Sequence, residues 1–145
     1  MELFRIDHKP HEIPVNVMYL IYHRGAGHSY TDAVGERIVD EYSKDAKVPM
    51  IAVTFDIPNH GEREVSEMVN AAFKDGNEPH ALDMIICIEF SINDIKLVMD
   101  LLPIYLSLGA HLAPDLKDEN VPIRFHSMLS GYPKGGHIIN RFASI

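Results

Sequence analysis

Two apolar runs, Val15 to Tyr22 and Val48 to Phe55, are short and almost continuously apolar, the pattern of strands buried on both faces. Between them Val34, Ile38 and Tyr42 recur every four residues behind Ser29 and Asp32, whose spacing is that of a capping box. This predicts a helix of about 13 residues, weakened by Gly35 inside it. A helix between two buried strands is a crossover connection, so the strands run parallel and helices must cover the sheet.

The alternation continues along the chain. Val65, Met68, Val69, Ala72 and Phe73 follow helical spacing, with Gly76 placed as a helix terminator. A longer helix is predicted from Pro79, with Ala81, Ile85, Ile88, Ile92, Ile95, Met99 and Leu102 spaced alternately by four and three until Pro103 ends or kinks it. Residues 104 to 122 read as irregular, and Ile123 to Leu129 as a strand leading to Gly131. Gly135-Gly136 then opens a short helix from His137 onward. Met1 to Ile6 reads as a short edge strand, and Pro10 to Pro14 as a connector. The expected fold class is α/β, a mostly parallel sheet with three helices on its faces, in a single domain over 1–145.

Charge and cysteine usage narrow the partners. Lys and Arg number 13 against 21 Asp and Glu, a net charge of −8, and no basic cluster could track a phosphate backbone. Nucleic acid is therefore not an expected partner. No stretch reaches the ~18 apolar residues of a membrane span. Glu2, Arg5, Asp7 and Lys9 break up the N-terminal run, so it does not read as a signal peptide. The one cysteine, Cys87, lies within Met84-Ile85-Ile86-Cys87-Ile88 and suits a buried thiol in a reducing intracellular compartment. Of the nine histidines, neither the His8/His11 nor the His23/His28 pair belongs to a metal-ligand spacing. No metal and no cofactor is expected.

Three segments carry the chemistry. His23-Arg24-Gly25-Ala26-Gly27-His28-Ser29 joins the first strand to the first helix, so the backbone N–H groups of Gly25, Ala26 and Gly27 could face a developing oxyanion. The same glycines would also serve a tight turn with no catalytic role. Asp56 and Pro58-Asn59-His60-Gly61-Glu62-Arg63 follow the second strand and read as a turn scaffold closing onto the sheet. Gly131-Tyr132-Pro133-Lys134-Gly135-Gly136-His137 follows the third.

In this order and spacing the segments resemble the front half of an α/β hydrolase, with a His-Gly-rich oxyanion loop, an Asp-x-x-x-His-Gly turn and a nucleophile elbow. More narrowly, the chain is similar to hydrolases of fungal secondary-metabolite clusters, including those for host-selective polyketide toxins. The resemblance implies serine-hydrolase-type acyl transfer on a small ester or thioester, in the cytoplasm or in peroxisomes. The final tripeptide Ala143-Ser144-Ile145 nevertheless lacks the basic middle residue of a peroxisomal address. The chain departs from the family in two places. Arg24 stands where glycine usually follows the histidine, and Pro133 occupies the nucleophile's position with neither a hydroxyl nor an N–H.

Ser107, in Ser107-Leu108-Gly109-Ala110-His111, is the one substitute nucleophile with a suggestive setting, although Tyr105 replaces the glycine of an elbow and an ordinary post-helical loop is the better account of it. The chain ends eight residues after His137, which leads to the expectation of an incomplete hydrolase-like domain lacking the later acid and histidine. A third strand with no further neighbour would also leave an exposed edge and apolar surface near Ile123 to Leu129, and hence self-association. Three functional readings stay open: an acyl hydrolase of a secondary-metabolite pathway, a non-catalytic hydrolase-like binding module, and a degenerate, truncated gene product.

Overall fold

The computed structural model describes residues 11–22, 27–118, 120–131 and 134–145. Three strands, β1 (Ile13–Ile21), β2 (Met50–Thr54) and β3 (Ile123–Gly131), form one all-parallel sheet in the order β2-β1-β3. Helices α1 (His28–Tyr42), α2 (Glu67–Asn70), α3 (His80–Leu106), α4 (Pro114–Asp118) and α5 (Lys134–Phe142) complete the described chain. The fold is α/β, as the alternation of buried strands with helical periodicity requires. The Met1 to Ile6 strand lies outside the described residues.

β1 is the centre of the sheet because its apolar residues serve both faces. Val15, Val17 and Tyr19 point to one face and pack with Val98, Met99 and Leu102 of α3 and with Ile123, Phe125 and Leu129 of β3. Leu20 points to the other, where Gly35 of α1 lets the helix settle onto the strands. A Cβ at Gly35 would sit 3.0 Å from Ala52 Cβ and 3.1 Å from Leu20 Cδ1. The glycine that lowers helix propensity is the close-contact point between helix and sheet. A second apolar cluster joins Ile21, Tyr22 and Ile57 to Cys87, Ile92 and Ile95 of α3 and Ile138 of α5. Cys87 is buried there, and its Sγ contacts Pro58 O at 3.6 Å.

Several local expectations are corrected. α1 starts at His28 with Gly27 as its N-cap, so Ser29 and Asp32 form no capping box. Asp32 instead bonds His28 Nδ1 (2.7 Å) and Thr54 Oγ1. The helix expected over Val65 to Phe73 shrinks to the single turn of α2, followed by a 3₁₀ turn at Phe73–Asp75. Val65, Met68 and Phe73 have no core to enter and stay exposed. Two asparagines fix that segment instead. Asn59 Oδ1 accepts from Val65 N and Ser66 N at 2.9 Å, and the buried Asn77 Nδ2 donates to Val69 O, Ala71 O and Asp83 Oδ2. α3 continues past Pro103 to Leu106, and the stretch expected to be irregular holds a 3₁₀ turn at Leu108–His111 and α4. α5 begins at Lys134 rather than His137.

β3 does lie at an edge of the sheet, but Met128 alone of its residues is among the strongly exposed large hydrophobics. The exposed apolar surface lies mainly on α3, at Leu82, Ile85, Ile86, Phe90, Leu97, Leu101, Ile104 and Tyr105. No helix among the described residues is long and apolar enough to cross a membrane.

Candidate functional site

The strand order creates one natural crevice. From β1 the chain winds to β2 through α1, then crosses back through α3 to β3 on the far side of β1, so the loops after β1 and β3 diverge at the carboxyl edge of the sheet. Ligands of open α/β sheets bind at such a switch point. The register pairs Ile21 with Gly131, so the two strands end level with each other.

The turn after β3 is closed by two glycines. A Cβ on Gly131 would lie 2.7 Å from Gly135 C and 2.8 Å from its Cα, and a Cβ on Gly135 would lie 2.4 Å from Ile21 O. The strand therefore folds back into α5 within a few residues, and the first turn of the helix rests on the last carbonyl of β1. Only glycine permits both approaches. Pro133, like Gly25 and Ala26 of the oxyanion-type loop, lies outside the described residues. Gly27 is described, as the extended N-cap of α1.

Asp56, two residues beyond β2, is the hub of this edge. Its Oδ1 accepts from Tyr22 Oη (2.9 Å) and His28 N (2.8 Å), and its Oδ2 from Glu62 N (2.7 Å). Gly61, at φ +56°, brings the turn over the carboxylate so closely that a Cβ there would overlap it. One buried side chain thus ties the end of β1, the N-terminus of α1 and the 56–63 turn together. The carboxylate also caps α1, supplying the acceptor that Gly27 cannot and meeting the positive end of the helix dipole. Arg63 braces the turn from outside, donating to Asp56 O (2.8 Å) and Asp94 Oδ2 (2.6 Å).

These contacts set the titration of the site. Burial pushes the Asp56 carboxyl up, but the N–H groups of Glu62 and His28 and the Tyr22 hydroxyl outweigh it and hold the group below its usual range. Tyr22 is raised well above the usual phenol value, by burial first and then by its bond to the Asp56 carboxylate. The fold therefore needs an ionised Asp56 and a protonated Tyr22. The depressed carboxyl stabilises the fold fully above its unfolded pKa of about 3.9, and that contribution disappears as pH falls through the lower folded value. The raised phenol contributes fully below about 10 and is lost as pH rises through its folded value. Urea-unfolding midpoints measured across pH should show a plateau falling at both ends, and the acid-side fall should be shallower in Asp56→Asn. An unchanged acid limb in that variant would refute the assignment.

Behind the hub lies a second buried pair. His60 and Lys134 are 2% and 6% exposed, and Lys134 Nζ stands 3.3 Å from His60 Nε2. His60 Nδ1 lies 2.9 Å from Pro58 O, which can only accept, so Nδ1 carries the proton and Nε2 offers its lone pair to the lysine. Both ring nitrogens are engaged. Lys134, Cys87 and His80 line a cavity the size of about one water molecule, into which the buried His80 Nδ1 faces without a partner among the described residues.

His28, Asp56 and Glu62 also present ligand atoms within 4.8 Å of one another, a grouping that the histidine spacings did not announce. Hydrogen bonds already account for it. Both oxygens of Asp56 are engaged, and the His28 ring bonds Asp32, whose carboxylate raises the His28 pKa.

Ser107 is not brought to this edge. α3 runs from the carboxyl edge of the sheet back to the start of β3, so its C-cap lies at the amino edge, and Leu108 packs beside Val15 and Val17. Ser107 adopts the left-handed conformation (φ 47°), and its hydroxyl donates to Ile104 O at 2.9 Å, not to a histidine. Lys134 and Tyr22 were missed by sequence reasoning. The signal for Lys134 was a cation opening a helix, where the dipole disfavours it, inside a glycine-rich turn. No protein-family profile, curated protein or solved structure matches this chain.

Proposed function

We propose that this chain is an α/β-hydrolase-like protein of secondary-metabolite, toxin-type biosynthesis whose elbow carries proline in place of the nucleophile, so that it holds a small acyl ligand rather than hydrolysing it. The contact of Gly131 with Gly135 and of Gly135 with Ile21 O carries the reading. A strand-to-helix turn closed by glycines, level with the end of β1, supports an elbow-like reading. Pro133, between these glycines in the sequence, has no side-chain oxygen to attack an acyl carbon. The nearby His60 is no free base, since Pro58 O and Lys134 occupy its ring. The pathway and the acyl class rest on the sequence resemblance alone.

The test is covalent labelling. Purified protein is expected to take up no fluorophosphonate and to turn over p-nitrophenyl esters no faster than buffer, because no acyl-enzyme can form. Stoichiometric labelling that disappears in Ser107→Ala would overturn the proposal and identify an unusual nucleophile.

A further inference from the structure

α3 carries two apolar faces. One packs on the sheet through Cys87, Ile92 and Ile95, and the other, at Leu82, Ile86, Phe90, Leu97, Leu101 and Tyr105, is exposed at between 43% and 86%. A monomer does not need the second face, and its side chains are large. At roughly 200 Å² for each fully exposed large side chain, the six residues of this face hold on the order of 700 Å² per protomer, close to the ~800 Å² per partner of a standard interface.

Six of the eight exposed large apolar residues of α3, all but Ile85 and Ile104, are spaced palindromically. Leu82, Ile86 and Phe90 step by four toward the middle of the helix, and Leu97, Leu101 and Tyr105 step away from it by four, with Asn93 between the two halves. We infer that the outer face of α3 docks on the α3 of a second copy of this chain, antiparallel, about a two-fold axis beside Asn93. In that arrangement Phe90 meets the partner's Leu97, Ile86 meets the partner's Leu101 and Leu82 meets the partner's Tyr105, each contact made twice, as an isologous interface requires. Asn93 falls against its own counterpart, where one polar residue in an apolar seam fixes register.

The charges fit the same arrangement. Glu89 and Lys96 are seven residues apart on one flank of the exposed face, and antiparallel helices set like flanks together, so Glu89 of each copy meets the partner's Lys96. Glu89 Oε1 is held by Arg141 at 2.8 Å, which leaves Oε2 for the partner. Asp100 follows Lys96 by one helical turn, so its charge is offset within its own chain. A parallel pair would place glutamate beside glutamate and lysine beside lysine.

Sedimentation equilibrium of the full chain should give a mass approaching twice 16.4 kDa at micromolar concentration. Leu97→Glu, at a position 57% exposed and so tolerable in the monomer, should weaken the dimer at least about 100-fold with unchanged far-ultraviolet circular dichroism. Lys96→Glu should weaken it by about 3- to 10-fold. On air oxidation Asn93→Cys should form a covalent dimer, and a mixture of Leu82→Cys with Tyr105→Cys should cross-link while Leu82→Cys alone does not. Cys87 is buried and does not compete. A monomeric mass at 100-fold higher concentration, a dimer surviving Leu97→Glu, or cross-linking of Leu82→Cys with itself would each overturn the inference.

Discussion

Asp56→Ala is expected to lower the unfolding free energy by about 3 kcal/mol and the thermal midpoint by roughly 10 °C. The size follows from what the carboxylate serves. Tyr22 is 1% exposed, so removing its acceptor strands the buried hydroxyl proton, at a cost of about 1–3 kcal/mol, while the oxygen still accepts from Ile57 N. The amides of His28 and Glu62 lie nearer solvent and recover water, so they add less. Loss of the charge at the N-terminus of α1 contributes about another 0.5 kcal/mol. Tyr22→Phe alone should cost about 1–3 kcal/mol: Asp56 keeps its two amide donors, but the buried Ile57 N loses the hydroxyl it donates to. In the double variant the penalties should not add, because Tyr22→Phe then removes the group that Asp56→Ala had stranded. Strict additivity in urea titrations, or a shift of less than about 3 °C for Asp56→Ala, would show that Asp56 is not the hub.

Legibility of the sequence divides along the same physical line. β1 and the middle of α3 were readable because their side chains face a continuous core and burial imposes a period that the residues must follow, whereas α1 and β2 showed the same periods with apolar residues that are only partly buried. Ile88, Ile92, Ile95, Met99 and Leu102 do face inward. At the N-terminal end of α3 the pattern misled, because Ile85 is exposed while Cys87 and Ser91 turn in. The exposed stripe was overlooked for the same reason: a long helix with apolar residues on two sides offers two valid periods, and only one was taken. The 59–77 segment failed more completely. There the apolar spacing was genuine, but asparagine amides, not a core, fix the backbone, and such side-chain bonds have no periodic signature. At the candidate site the turn after β2 was legible as a scaffold from Asp56 and His60, whereas the Lys134–His60 contact joins residues far apart in sequence.

Two adjacent glycines should respond with opposite signs. Gly135→Ala should destabilise the protein by about 3 kcal/mol or more, because its Cβ would meet Ile21 O at 2.4 Å and Ile21 C at 3.1 Å. Those atoms are backbone of the central strand, 2% exposed at Ile21 and paired with Gly131 on β3, so they cannot yield as a flexible side chain would. The strain can be relieved only by lifting α5 off the sheet, which would uncover Ile138 and part Gly135 from Gly131 and Ile21. Gly136→Ala meets only Gly131 O at 3.5 Å, an ordinary contact. Inside α5 the added methyl should stabilise the helix by about 0.5–1 kcal/mol by reducing backbone freedom in the unfolded chain. Urea titration of the two variants beside the parent distinguishes close approach from helix propensity, since propensity alone would stabilise both. Equal and favourable effects would mean that α5 does not rest on β1, and the elbow reading would lose its geometric support.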